Sequence, residues 1–170
     1  RLALAPALDG RDQKVRRALG HVERSLLSRP DPQLLPALRF ERACLLLESG
    51  AAGEGAAAFT DLVREFPGDA ARAEASVLAI AAALRAGRSE EALAALGTLE
   101  ESGGGIPSIP GAELLPARVH AAAGNLQEAL VRARKVAKAG RFARDRVLAG
   151  LLTAEIEQSL ADGEGMLAAL

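Results

Sequence analysis

Three glycines at one fixed interval constrain this chain more than any other feature. Gly50, Gly87 and Gly124 follow one another at 37 residues each time. Their surroundings align too, over residues 47–59, 84–96 and 121–133. A repeat of this length marks stacked structural units, none of which can bury its apolar face alone. Each glycine can adopt the left-handed conformation that ends a helix. Acids follow each of the last two, Glu90 and Glu91 after Gly87 and Glu128 after Gly124, where they suit the positive end of a new helix. Ser89 reads as an N-cap, and Ala92 and Ala129 are small enough for close helix approach. Weaker copies of the turn read around Asp9-Gly10 and over residues 162–167, Asp162-Gly163-Glu164-Gly165-Met166-Leu167.

Between the turns, apolar residues recur at helical spacing, as in Phe59, Leu62 and Phe66, or Leu126, Leu130, Ala133 and Val136. Hydrophobic residues make up 49% of the chain and aromatics 2%, so the core must be built from Ala and Leu, which favour helix. No strand-like alternation is present. Proline and glycine clusters break the pattern at residues 28–32, 66–69 and 103–111, and Gly140 ends another segment behind a basic turn. The expected helices are 12–28, 33–48, 54–65, 70–86, 89–101, 112–123, 126–139 and 142–161. The stretch over 103–111 reads as a flexible connection. The whole chain reads as one helical-repeat domain, with pseudo-repeats over about 1–30, 31–67, 68–105, 106–140 and a partial one over 141–170.

Ala86-Gly87-Arg88-Ser89-Glu90-Glu91-Ala92-Leu93 and Ala123-Gly124-Asn125-Leu126-Gln127-Glu128-Ala129-Leu130 resemble the turn and second-helix start of the tetratricopeptide-repeat family. Phe59-Thr60-Asp61-Leu62-Val63-Arg64-Glu65-Phe66-Pro67 resembles the end of such a repeat, in the style of bacterial envelope-assembly proteins. The resemblance covers about residues 33–140. It departs from the family in its longer period, in lacking the large aromatic early in each first helix, and in placing Gly53 and Gly55 where helix formers are expected. It implies an all-α fold, a right-handed superhelical stack of antiparallel helix hairpins, and a concave groove lined by first helices. It implies a scaffold for another protein, held as a peptide or an amphipathic helix, and not an enzyme. A cytoplasmic or an envelope-associated bacterial setting fits it equally.

Carried onto this sequence, the family's groove positions fall on Ala37, Phe40, Cys44 and Leu47, then on Glu74, Val77, Ala81, Leu84 and Arg85, then on Leu114, Arg118, Ala121 and Ala122. This lining is small and apolar, and each position also reads as plain interhelix packing. Basic residues gather at Arg132, Arg134, Lys135, Lys138, Arg141, Arg144 and Arg146, either as a patch for an acidic partner or nucleic acid, the latter disfavoured because no aromatic is interleaved, or as a solvated face.

Other chemistry finds little support. Cys44 sits among leucines and reads as a small buried hydrophobe. His21 and His120 each stand alone, without a companion at metal-ligand spacing. The glycine clusters at 50–55 and 103–105 follow helices, not strands, so they fail the context of a phosphate loop. No cofactor or metal is expected. A net charge of −1 gives no ground for nucleic acid as partner. The longest apolar run, residues 75–84, is far below the ~20 needed to span a bilayer. Because the chain starts at Arg1, it reads as part of a longer protein, which makes an accessory domain of a larger chain one alternative function. Self-assembly through Met166, Leu167 and Leu170 is another.

Overall fold

The computed structural model describes residues 5–68, 71–103 and 105–168, with side chains described between residues 10 and 162. Among these residues the chain is all-α. Eight helices follow one another: α1 (Ala5–Leu27), α2 (Leu35–Glu48), α3 (Ala52–Glu65), α4 (Arg72–Arg85), α5 (Ser89–Glu101), α6 (Leu115–Ala122), α7 (Leu126–Ala139) and α8 (Ala143–Ala168). They divide into two compact units, Arg1–Gly87 with α1 to α4 and Arg88–Leu170 with α5 to α8. Within each unit every helix packs on the next in sequence.

The three turn glycines adopt one local structure. Gly50, Gly87 and Gly124 have φ of 88°, 72° and 79°. The residues after them, Ala51, Arg88 and Asn125, have φ of −79°, −97° and −80° with ψ of 58°, 66° and 61°. Each glycine N–H donates to the carbonyl three residues back: Leu47 at 3.2 Å, Leu84 at 3.0 Å and Ala121 at 3.1 Å. In two of the turns the next N–H closes a wider ring, Ala51 to Leu46 at 3.0 Å and Asn125 to His120 at 2.8 Å, which completes a Schellman motif. The carbonyls of Ala51, Arg88 and Asn125 then accept the first bonds of the next helix, from Gly55, Ala92 and Ala129. Arg88 is therefore the N-cap of α5, without a side-chain capping bond, and Ser89 is the first helical residue. The expectation of a Ser89 cap fails because the glycine turn fixes the helix start one residue earlier.

The same interval governs burial. Leu45, Ala82, Val119 and Ile156 are all buried, and so are Ala75, Ala112 and Ala149. Ala43, Ile80 and Ala117 form a third such row, and Phe59, Leu96 and Ala133 a fourth. Five residues beyond each turn glycine stands a small buried residue: Gly55, Ala92 and Ala129. Gly55 looked out of place as a helix residue, and the packing explains it. A Cβ there would lie 2.7 Å from Leu47 Cδ2 and 3.4 Å from the Ala43 carbonyl oxygen, so α2 and α3 approach too closely for a side chain.

In the first unit, Ala43 of α2, Phe59 and Leu62 of α3, and Ala75 and Ala79 of α4 share one core cluster. In the second, Leu114 and Ala117 pack with Ala133 of α7 and Ala149 of α8, and a neighbouring cluster joins Ala129, Leu130 and Ile156.

Three expectations at element boundaries need correction. α1 runs unbroken through Asp9-Gly10, and α8 runs through Asp162-Gly163-Glu164-Gly165 to Ala168. The residues at the turn register there are Gln13 and Ala161, which lack glycine's access to the left-handed region, so no turn forms. Helix α6 starts at Leu115 instead of residue 112, because Pro116 occupies its first turn, where a missing N–H costs nothing.

The segment between α5 and α6 is also not a free connection. Its Gly111 N–H donates to Asp145 Oδ2 at 2.8 Å, and Ser108 Oγ accepts from the Arg141 guanidinium. Glu113 beside it accepts the Arg141 backbone N–H at 2.8 Å. Three bonds thus fasten it to the corner between α7 and α8. Asp145, only 1% exposed, is the one buried charged residue among those described. Its place in the first turn of α8 suits its charge.

Candidate functional site

The residues expected to line a groove fall into buried, half-buried and exposed groups. Val77 and Leu114 are buried, at 5% and 4% exposure, and serve the cores of their units. Phe40, Cys44 and Leu47 are half-buried and pack on the cluster around Ala43 and Phe59. Phe40 meets Phe59 edge to face, with ring centroids 5.4 Å apart and planes at 75°. Leu84 is half-buried, while Glu74, Arg85 and Arg118 are exposed.

The structure brings Glu74 of α4 to Cys44 of α2. Glu41, Glu74 and Glu48 all act on the thiol through their negative charge. Burial first, and these acids second, push the Cys44 thiol up to about 11. A thiol so placed stays protonated and unreactive at neutral pH. The half-buried apolar strip of the first unit therefore carries an acidic margin. On the other side of α2, the Arg39 guanidinium stands 5.6 Å from the centre of the Phe66 ring and pairs with Glu65. That arrangement ties α2 to the end of α3.

Within the basic run, Arg132 and Arg134 pair with acids of this chain. Arg132 donates to Glu128 Oε1 at 2.6 Å and also pairs with Glu100. The hydrogen bond to Glu100 and then that to Glu128 raise the Arg132 pKa against the effect of burial, and Arg132 holds the Glu128 carboxyl below its usual range. Arg134 binds Glu157 at 2.6 Å, and Arg141 is engaged with Ser108. Lys135, Lys138 and Arg144 are exposed and have no ion partner among the described residues. The partners Glu100, Glu128 and Glu157 come from other turns of the chain. Only the spacing of Glu128 to Arg132, one helical turn, was visible beforehand.

One cleft in the second unit escaped the sequence reading. It has a volume of about 400 Å³ and an apolar floor of Ile106, Pro116, Val136 and Ala139. Glu100, Glu113, Arg132 and Lys135 stand at its margin. No periodicity announces it, because Ile106 comes from the segment whose position is fixed by distant anchors.

His120 of α6 lies near Arg132, Glu128 and Glu100. Burial and then the Arg132 charge lower its pKa, opposed by the two glutamates. Its Nδ1 is buried without a hydrogen-bond partner. No group of three or more His, Cys, Asp or Glu side chains among the described residues could hold a metal ion. No helix of the described residues is long and apolar enough to cross a membrane.

No protein-family model matches the chain, and comparison with curated proteins and with solved structures gives no match.

Proposed function

We propose that this chain is a protein-interaction scaffold, a tetratricopeptide-like α-solenoid of right-handed hairpin stacking that holds a segment of another protein. The observation that carries the reading is the recurrence of one turn at Gly50, Gly87 and Gly124 together with the burial rows at the same interval. A repeated joint and a repeated small-residue contact are what an open array of hairpins requires. Such arrays present first-helix faces to a partner, an argument from architecture to function by analogy. Glu41, Glu48 and Glu74 around the half-buried Phe40–Cys44–Leu47 strip favour a partner helix that carries basic residues beside its apolar ones.

Fluorescence anisotropy with two labelled amphipathic helices of equal hydrophobicity, one basic and one acidic, tests this. Saturable binding of the basic helix is expected, weakened about tenfold by Glu74→Lys at low salt. Equal binding of both helices, or of neither, would overturn the reading.

A further inference from the structure

The C-terminal helix carries a second apolar face. α8 buries Asp145 against the α5–α6 segment and Ala149 and Ile156 against α6 and α7, with Leu152 half-buried beside them. At 100° per residue these positions lie on one side of the helix. On a neighbouring flank of the helix stand Leu148 and Leu151, with Val147 further round; the three are 40%, 58% and 65% exposed. This is half of the large hydrophobic side chains that stand exposed among the described residues.

The repeat shows that one position of this face, that of Leu151, is elsewhere covered. Leu151 occupies the register of Val77 and Leu114, and Ala154 that of Ile80 and Ala117, all four of which are buried. Leu114 and Ala117 reach that state by packing with Ala133 of α7 and Ala149 of α8. Leu151 and Ala154 are exposed.

The charges flanking this face identify what fits it. Arg144 lies one turn before Leu148, and Glu155 one turn after Leu151. Both are exposed, and neither has an ion partner among the described residues. The order along the face is therefore cation, leucine, leucine, anion. This sequence is its own complement when reversed. Two copies laid antiparallel about a two-fold axis between Ala149 and Gly150 set each Leu148 against the other copy's Leu151. The same register sets each Arg144 against the other copy's Glu155.

We propose that this face is an isologous homodimer interface, formed by antiparallel pairing of α8 with α8 of a second copy. The pairing stands independently of the groove reading, which concerns α2 and α4.

Sedimentation velocity between 1 and 200 µM, with helical circular dichroism as a folding control, is the test. Dimer formation is expected within that range. Leu151→Asp removes two apolar contacts per dimer and is expected to weaken association at least ~100-fold while leaving the spectrum unchanged, since the side chain is exposed. Arg144→Glu alone and Glu155→Arg alone each create two like-charge pairs and are expected to weaken association about tenfold or more. The double variant Arg144→Glu/Glu155→Arg restores both pairs, and its association is expected to return to the wild-type value. A monomer at 200 µM would overturn the proposal. So would a dimer indifferent to Leu151→Asp, or a double variant no better than either single one. Saturation of this face by a different protein in place of self-association would count as the first of these results.

Discussion

Replacing Gly124 by alanine isolates the cost of the turn on which the repeat rests. Its φ of 79° lies in the left-handed region, and a Cβ added there meets nothing within 4 Å, so no clash contributes. An L-residue in that region costs about 1–2 kcal/mol, partly offset by about 0.4–1 kcal/mol from a stiffer unfolded chain. The net expectation is a loss of about 1 kcal/mol. For a cooperative unit of this size that corresponds to a fall in melting temperature of roughly 4–8 °C. Asparagine tolerates the left-handed region, so Gly124→Asn is expected to lose less than half as much. Gly97 supplies the opposite control. It lies inside α5 with equal open space around it, and Gly97→Ala is expected to raise stability by roughly 0.5–1 kcal/mol. Thermal melts followed at 222 nm read all three variants. Gly50 and Gly87 share the geometry, so their alanine variants are expected to lose similar amounts. The reasoning fails if Gly124→Ala and Gly97→Ala shift stability in the same direction.

Other predictions follow from the polar groups. Asp145→Ala leaves the Gly111 N–H without its acceptor and is expected to cost about 1–3 kcal/mol by urea denaturation, with faster amide exchange at Gly111. Cys44, raised from 9.0 to about 11, carries about a hundredfold less thiolate than an ordinary cysteine, and its labelling by a disulfide reagent is expected to be slower by a similar factor until the protein is unfolded. His120 is held below its ordinary value of 6.5, so the unfolded chain binds the extra proton first. Its contribution is present above pH 6.5 and is lost as pH falls through the lowered folded value, and His120→Gln is expected to flatten the decline in stability between pH 7.5 and 5.

Local chemistry was readable in the sequence and distant chemistry was not. The glycine turns could be placed because left-handed backbone is a property of one residue. The helices between them were found because their apolar spacing is short-ranged. Gly55 was misjudged because its reason is Leu47, on the preceding helix. The segment 103–111 looked free because its anchors, Asp145 and Arg141, lie more than thirty residues away. Asp9-Gly10 and Asp162-Gly163 look like turns by composition, yet Gln13 and Ala161 hold the register where glycine is needed. For the groove positions, residue type agreed with exposure for Glu74, Arg85 and Arg118, but did not separate Val77 and Leu114, which are core, from Leu47 and Leu84, which are half-buried. The ion pairs of Arg132 and Arg134 join residues remote in sequence, except Arg132 with Glu128.

The fastening of the α5–α6 segment has a consequence during synthesis. Gly111 must wait for Asp145, 34 residues later, and Ser108 for Arg141, 33 residues later. At roughly 5–20 residues per second, these amides and hydroxyls stay hydrated for roughly 2–7 seconds after leaving the ribosome. The nascent chain can close its earlier hairpins in that interval, before this stretch is fastened.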